Sequence, residues 1–115
     1  FTYTNASLTD VEATDNLSQK SSSVFAVFRE STFTCTSCSF TNNVGENGVI
    51  RIDSFSTFTL NKCKFVNNRS TDSASTIMIV STPDANSITD TTFSGNSAQN
   101  SACIYLVEST VTLTR

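Results

Sequence analysis

An internal repeat constrains this chain more than any other feature. Phe40-Thr41-Asn42-Asn43, Phe65-Val66-Asn67-Asn68 and Phe93-Ser94-Gly95-Asn96 are three copies of FxxN, 25 and 28 residues apart. The surrounding positions repeat with them. Two residues before each Phe stand Cys38, Cys63 and Thr91; five before stand Cys35, Leu60 and Ile88; seven before stand Phe33, Phe58 and Asn86. A β-branched or aliphatic cluster follows each motif, at residues 49–52, 77–80 and 102–107. A unit this short has no room to bury its own apolar face. Stacked copies, by contrast, build a continuous core.

Each piece of the repeat is short, rich in Val, Ile, Phe and Thr, and alternates apolar with hydroxyl side chains, as in Phe33-Thr34-Cys35 and Phe58-Thr59-Leu60. Period two means strand. The many Ser, Thr and Asn residues would oppose helix by competing for backbone hydrogen bonds. A fainter earlier copy is read with Phe1 and Tyr3 in its first piece, Ala6 and Leu8 in its second and residues 24–28 in its third; its Leu8-Thr9-Asp10-Val11 lacks the Asn. Residues 12–23 are then longer than their counterparts and are expected as a protruding loop, while Val111 and Leu113 open a fifth copy. The predicted fold is all-β: one right-handed parallel β-helix segment of three sheets and about four rungs, roughly 19 Å long at about 4.8 Å per rung.

Within FxxN the Phe closes a strand pointing inward and the Asn lies at a corner, where a side chain tolerant of left-handed backbone is favoured. Repetition predicts a core stack of Phe40, Phe65 and Phe93 and an amide ladder of Asn43, Asn68 and Asn96, of the kind that cross-β stacking produces. The three FxxN motifs, each followed by a small residue and then an aliphatic segment (Gly48-Val49-Ile50, residues 74–77, Ala102-Cys103-Ile104), resemble the repeats of polymorphic outer-membrane proteins and related protist surface proteins. That resemblance implies the right-handed, pectin-lyase-like β-helix. It covers residues 31–113 well and residues 1–30 poorly. The Gly-Gly pair of the bacterial pattern is missing here, which favours a eukaryotic microbial surface protein.

Composition narrows the chemistry. Ser and Thr, 19 of each among 115 residues, would suit a mucin-like stalk, but nine Phe and a single Pro argue for something to bury. A net charge of −3 with 15% charged residues provides no field for nucleic acid. With no His, Ser-His-Asp and Cys-His catalysis are excluded within the chain. No apolar run approaches the roughly 20 residues of a membrane helix. The chain starts at Phe1 without a Met or signal peptide, which reads as a mature end or an excerpt of something longer.

Several side chains invite a functional reading. Cys38 and Cys63 share a position in consecutive rungs, so their Cα atoms should lie about 4.8 Å apart, within reach of a disulfide; the alternative is a reduced stack packed as small hydrophobes. Cys35 and Cys103 are expected too far apart to pair, and Cys35-x-x-Cys38 is a weak redox or zinc motif because Cys35 occupies a core column. Sequons stand at Asn5, Asn16 and Asn68, the second in the expected loop and the third at a corner. Glu30, Asp53 and Glu108 each follow an aliphatic strand and are candidates for an acidic column; its bland alternative is a solvated corner relieved by Arg29 and Arg51. Phe55 and Tyr105 are the aromatics whose facing the pattern leaves open.

The expected function is a structural module of an extracellular or cell-surface β-helix protein (coat, stalk or filament), without catalysis or cofactor. Self-association, end to end or lateral, and covalent glycans are its expected partners. Two alternatives are an adhesin or carbohydrate-binding β-helix, and a fragment of a polysaccharide lyase or hydrolase, for which carboxylate columns would serve as acid, base or calcium ligands.

Overall fold

A computed structural model describes residues 2–22, 24–72, 76–82, 85–100 and 103–115. Phe1, Ser23, Ala74, Ser75 and Ala102, which belong to the repeat positions given above, lie outside the described residues. The chain winds into a parallel β-solenoid of about four turns. The first turn carries β1 (Asn5–Thr9), β2 (Glu12–Thr14) and β3 (Phe25–Val27). The second carries β4 (Thr32–Thr36), β5 (Ser39–Thr41), β6 (Val44–Gly45) and β7 (Ile50–Ile52). The third carries β8 (Thr57–Asn61), β9 (Lys64–Val66), β10 (Arg69–Ser70) and β11 (Ile77–Val80). β12 (Ser87–Thr89), β13 (Thr92–Ser94) and β14 (Ile104–Val107) make the fourth, and β15 (Thr112–Thr114) opens a fifth.

Strands of equal rank stack in register. Sheet A runs β1-β4-β8-β12-β15, sheet B β2-β5-β9-β13 and sheet C β3-β7-β11-β14; a small fourth sheet pairs β6 with β10. Every pairing is parallel. Alternate residues therefore enter the interior together: Phe33 over Phe58, Cys35 over Leu60 and Ile88, and Ile50 and Ile52 over Ile77 and Ile79. These side chains are almost wholly buried. Phe40, Phe65 and Phe93 stack with ring centroids 4.6 and 5.1 Å apart and near-parallel planes, an offset geometry that adds to their area burial.

Left-handed residues turn the corners. Between sheets A and B they are Asp10, Ser37, Lys62 and Asp90; just after sheet B they are Asp15, Asn42, Asn67 and Gly95. The second set corrects the expected reason for the motif. The left-handed residue of FxxN is its third, at Asn42, Asn67 and Gly95; the final Asn has a different task. Side-chain amides there form a rung-to-rung chain, Asn43 Nδ2 donating to Asn68 Oδ1 and Asn68 Nδ2 to Asn96 Oδ1, each at 3.0 Å. The same oxygens also accept the backbone N–H of Asn43 and Asn68. Each amide further donates to a carbonyl of the preceding turn, at Ala13, Phe40 and Phe65. Asn is thus the residue that satisfies an inward-turned backbone at every corner, which buried polar groups require. In the fourth turn a Cβ at position 95 would strike Asn67 Oδ1, so glycine takes the place that Asn holds in the turns before it.

The first turn overturns two expectations. Ala6 and Leu8 pair with Phe33 and Cys35 and so belong to sheet A. Residues 12–22 do not form the expected protruding loop: Glu12–Thr14 is a strand paired with Ser39–Thr41, Leu17 bridges Val44, and the Ser21 carbonyl accepts from the Glu46 N–H. The motif here reads Ala13-Thr14-Asp15-Asn16, with Ala where later turns have Phe. Asn16 Nδ2 donates to Asn43 Oδ1 at 2.8 Å, adding a fourth member to the ladder. Phe25, in the column that is Ile in later turns, supplies the missing volume, its ring 5.2 Å from Phe33 and edge-on to Phe40 at 6.1 Å.

Candidate functional site

Two features concentrate chemistry: a buried cysteine cluster inside the A–B corner and an uncharged hydroxyl array on sheet A. Cys35 ends the inward alternation of β4, and Cys38 follows the left-handed Ser37. The corner turns both side chains into the core, with Cα atoms 6.1 Å apart, and they form a disulfide. The expected Cys38–Cys63 bond is thereby corrected. Stacking does place Cys63 beside Cys38, with its Sγ facing the Cys35 carbonyl at 3.4 Å, but its thiol is free and buried. Closing the corner within one turn brings two sulfurs together more directly than the spacing between turns does. Cys103, also free, is exposed.

The Sγ atoms of Cys35, Cys38 and Cys63 all lie within 4.8 Å of one another. Three sulfurs at that spacing are the donor set of a soft metal ion. Holding one would require reduction of the disulfide and three thiolates in an apolar interior, where uncompensated charge is costly. Burial drives the other way, pushing the Cys63 thiol above its ordinary value. The cluster therefore reads as a covalently closed corner with a neutral thiol packed against it.

On the outer face of sheet A the inward residues alternate with three rows that run along the solenoid. The first is Asn5, Thr32 and Thr57; the second Ser7, Thr34, Thr59, Ser87 and Thr112; the third Thr9, Thr36, Asn61, Thr89 and Thr114. Nine of the thirteen are Thr, none is charged, and none is larger than Asn. Neighbouring hydroxyls touch along the rows, Thr57 Oγ1 to Thr32 Oγ1 at 3.3 Å and Ser87 Oγ to Thr59 Oγ1 at 3.5 Å. Elsewhere the outer faces are mixed, with Glu12 and Lys64 on sheet B and Arg51, Met78 and Tyr105 on sheet C.

The remaining candidates separate. Asn68 is fully buried and both its amide hydrogens are engaged, by Phe40 O and Asn96 Oδ1, so it is no glycan acceptor in this fold. Asn16 spends its amide on Asn43 and Thr14. Asn5 alone of the three sequons presents an outward, exposed side chain without a ladder role. The candidate acidic column does not form. Val27 and Ile52 are partners, and Val80 is the partner of Val107 one step beyond. Asp53, Glu108 and Glu30 therefore sit one, two and three steps past the same row. Asp53 pairs with Arg51 at 2.8 Å, and Arg51 also lies over the Phe28 ring at 5.5 Å; Glu108 accepts from Ser81 Oγ. Phe55 is 70% exposed, in a left-handed conformation.

No family model, curated protein or solved structure matches the chain. Among the described residues no helix is long and apolar enough to cross a membrane.

Proposed function

We propose that the chain is a structural module of an extracellular or cell-surface solenoid protein, serving in a coat, stalk or filament. The observation that carries this reading is the amide ladder, which runs from Asn16 to Asn96 and joins four successive turns by the same bonds. A structure whose cohesion is repeated from turn to turn is stable in proportion to its length and extends by adding turns. The contacts that join turns within one chain are those that a second copy would continue, and open strand edges recruit strands. The Cys35–Cys38 disulfide suits an oxidising compartment.

Analytical ultracentrifugation over a wide concentration range, followed by negative-stain imaging, tests the assembly. Axial oligomers or fibres that grow with concentration are expected. A monodisperse monomer throughout overturns the filament reading.

A second reading, an adhesin, is favoured by the uncharged array on sheet A. A face from which every charge and every bulky side chain is missing is specialised beyond what solubility asks of it.

A further inference from the structure

The sheet A array has an uncommon kind of regularity, and the regularity bears on what it contacts. Rows follow one another along each strand at two residues, about 6.7 Å, and successive turns at about 4.8 Å. Those two repeats belong to any in-register parallel sheet; what is particular here is that hydroxyls occupy both at every position but Asn5 and Asn61. The strongest part is the pair of rows containing Thr34 and Thr36, Thr59, Thr89, Thr112 and Thr114. Threonine presents a hydroxyl and a methyl side by side, and its branched Cβ leaves little freedom at χ1. Hydroxyl contacts between successive turns within a row, at 3.3 and 3.5 Å, restrict the array further.

A ligand for such a surface is specified by exclusion and by fit. With no charge, the face offers nothing to an ionic mineral, a polyanion or a polycation. Lacking outward aromatics, it has no platform for stacking on sugar rings. A single hydroxyl gains little by exchanging one water for another. Many hydroxyls on a rigid frame gain together only where the ligand is itself periodic, because then all engage at once without further ordering. Solid water meets these conditions: the prism face of hexagonal ice repeats its oxygen positions along two perpendicular directions at spacings close to those of the array. Methyl groups between the hydroxyls order the water that joins the two lattices.

We propose that the sheet A face binds ice. This inference rests on the reading of that face as a contact surface and names what it contacts. The test is ice growth in a nanolitre osmometer with the purified, oxidised chain. Expected are faceted crystals and a gap between melting and growth temperatures that widens with concentration. Thr34→Tyr with Thr59→Tyr places two rings on the array, where outward positions leave the core untouched; the gap should fall at least tenfold while the β circular-dichroism spectrum is unchanged. Ser39→Tyr, outward on sheet B, should leave the gap as it is. Rounded crystals identical to those in buffer, from protein with a native spectrum, overturn the proposal, as does equal loss in the sheet A and sheet B variants. If the chain instead holds cells, glycans or crystalline polysaccharide while ice grows unhindered, the ice proposal falls and the adhesin reading stands.

Discussion

The middle turns and the outer turns of this solenoid are built from the same motif, yet they differ in how completely it is filled. Phe33, Phe40, Phe58 and Phe65 are buried to within 1%. Phe93, the fourth-turn counterpart of Phe40 and Phe65, is only partly buried, as is Ile104 in the column of Ile50 and Ile77, and the first turn has Ala13 in place of Phe. The difference shows where stability comes from. A turn in a solenoid is held by its neighbours on both sides, so identical residues are worth more in the middle than at the periphery. Phe65→Ala should therefore cost about 3–5 kcal/mol, whereas Phe93→Ala, with part of its ring already in water, should cost less than half as much. Equal losses in urea unfolding would break the comparison and indicate that the outer turn is covered in solution.

The amide ladder sharpens it. Asn68→Ala would leave the N–H and one amide hydrogen of Asn43 unpartnered in the interior and take one donor from the Phe40 carbonyl. At about 1–3 kcal/mol per buried unmet group, a loss of about 3 kcal/mol or more is expected. Asn96→Ala removes the same bonds from Asn68 and Phe65, but near solvent, where water replaces them, so about 1 kcal/mol is expected. Amide hydrogen exchange distinguishes the two: protection at Asn43 should collapse in Asn68→Ala, whereas in Asn96→Ala it should persist at Asn43 and drop at Asn68.

Much of this architecture was legible from sequence, and the reasons for what was not are local. FxxN revealed turns two to four because Phe and Asn are each required by a corner. The first turn was hidden because Ala13 replaces the Phe while Phe25, twelve residues later, supplies the volume, a compensation visible only in three dimensions. Cysteine pairing was misread because spacing between turns predicts proximity well, whereas the convergence of Cys35 and Cys38 depends on the left-handed Ser37 between them. Asn68 looked like a glycan acceptor because its sequon is a local pattern and its burial is not. The acidic column failed by one-step shifts in register that the aliphatic clusters alone do not fix.

The cysteine corner yields a smaller, pH-dependent contrast. Opening Cys35–Cys38 with Cys35→Ala and Cys38→Ala frees a very short loop, for which the chain-entropy model gives about 2 kcal/mol. Cys63 acts in the opposite sense. Burial raises its thiol pKa in the folded state, so above the unfolded value of about 8.5 the unfolded chain releases a proton that the folded chain retains. Stability should consequently decline as pH rises from 8 towards 10, and Cys63→Ala should flatten that slope. Melting temperatures at matched ionic strength read the effect, and an unchanged slope in the variant would assign it to other groups.

The smallest expected effect is a gain. Phe55 holds a left-handed conformation with φ 62° beside Ser54 at 55°, and its ring is 70% exposed. Left-handed backbone costs most L-residues about 1–2 kcal/mol, and Asn less because its short amide bonds locally. Asn occupies the equivalent conformation at residues 42 and 67. The Phe55 N–H donates to the Ser81 carbonyl at 3.0 Å, a bond that Asn retains. Phe55→Asn should therefore stabilise the isolated chain by about 1 kcal/mol, since little apolar burial is lost. A destabilised variant would mean that the ring is covered in solution, and a variant that is more stable yet assembles less would place Phe55 in the contact between copies, where a bulky aromatic held at a strained corner would be retained for what it touches.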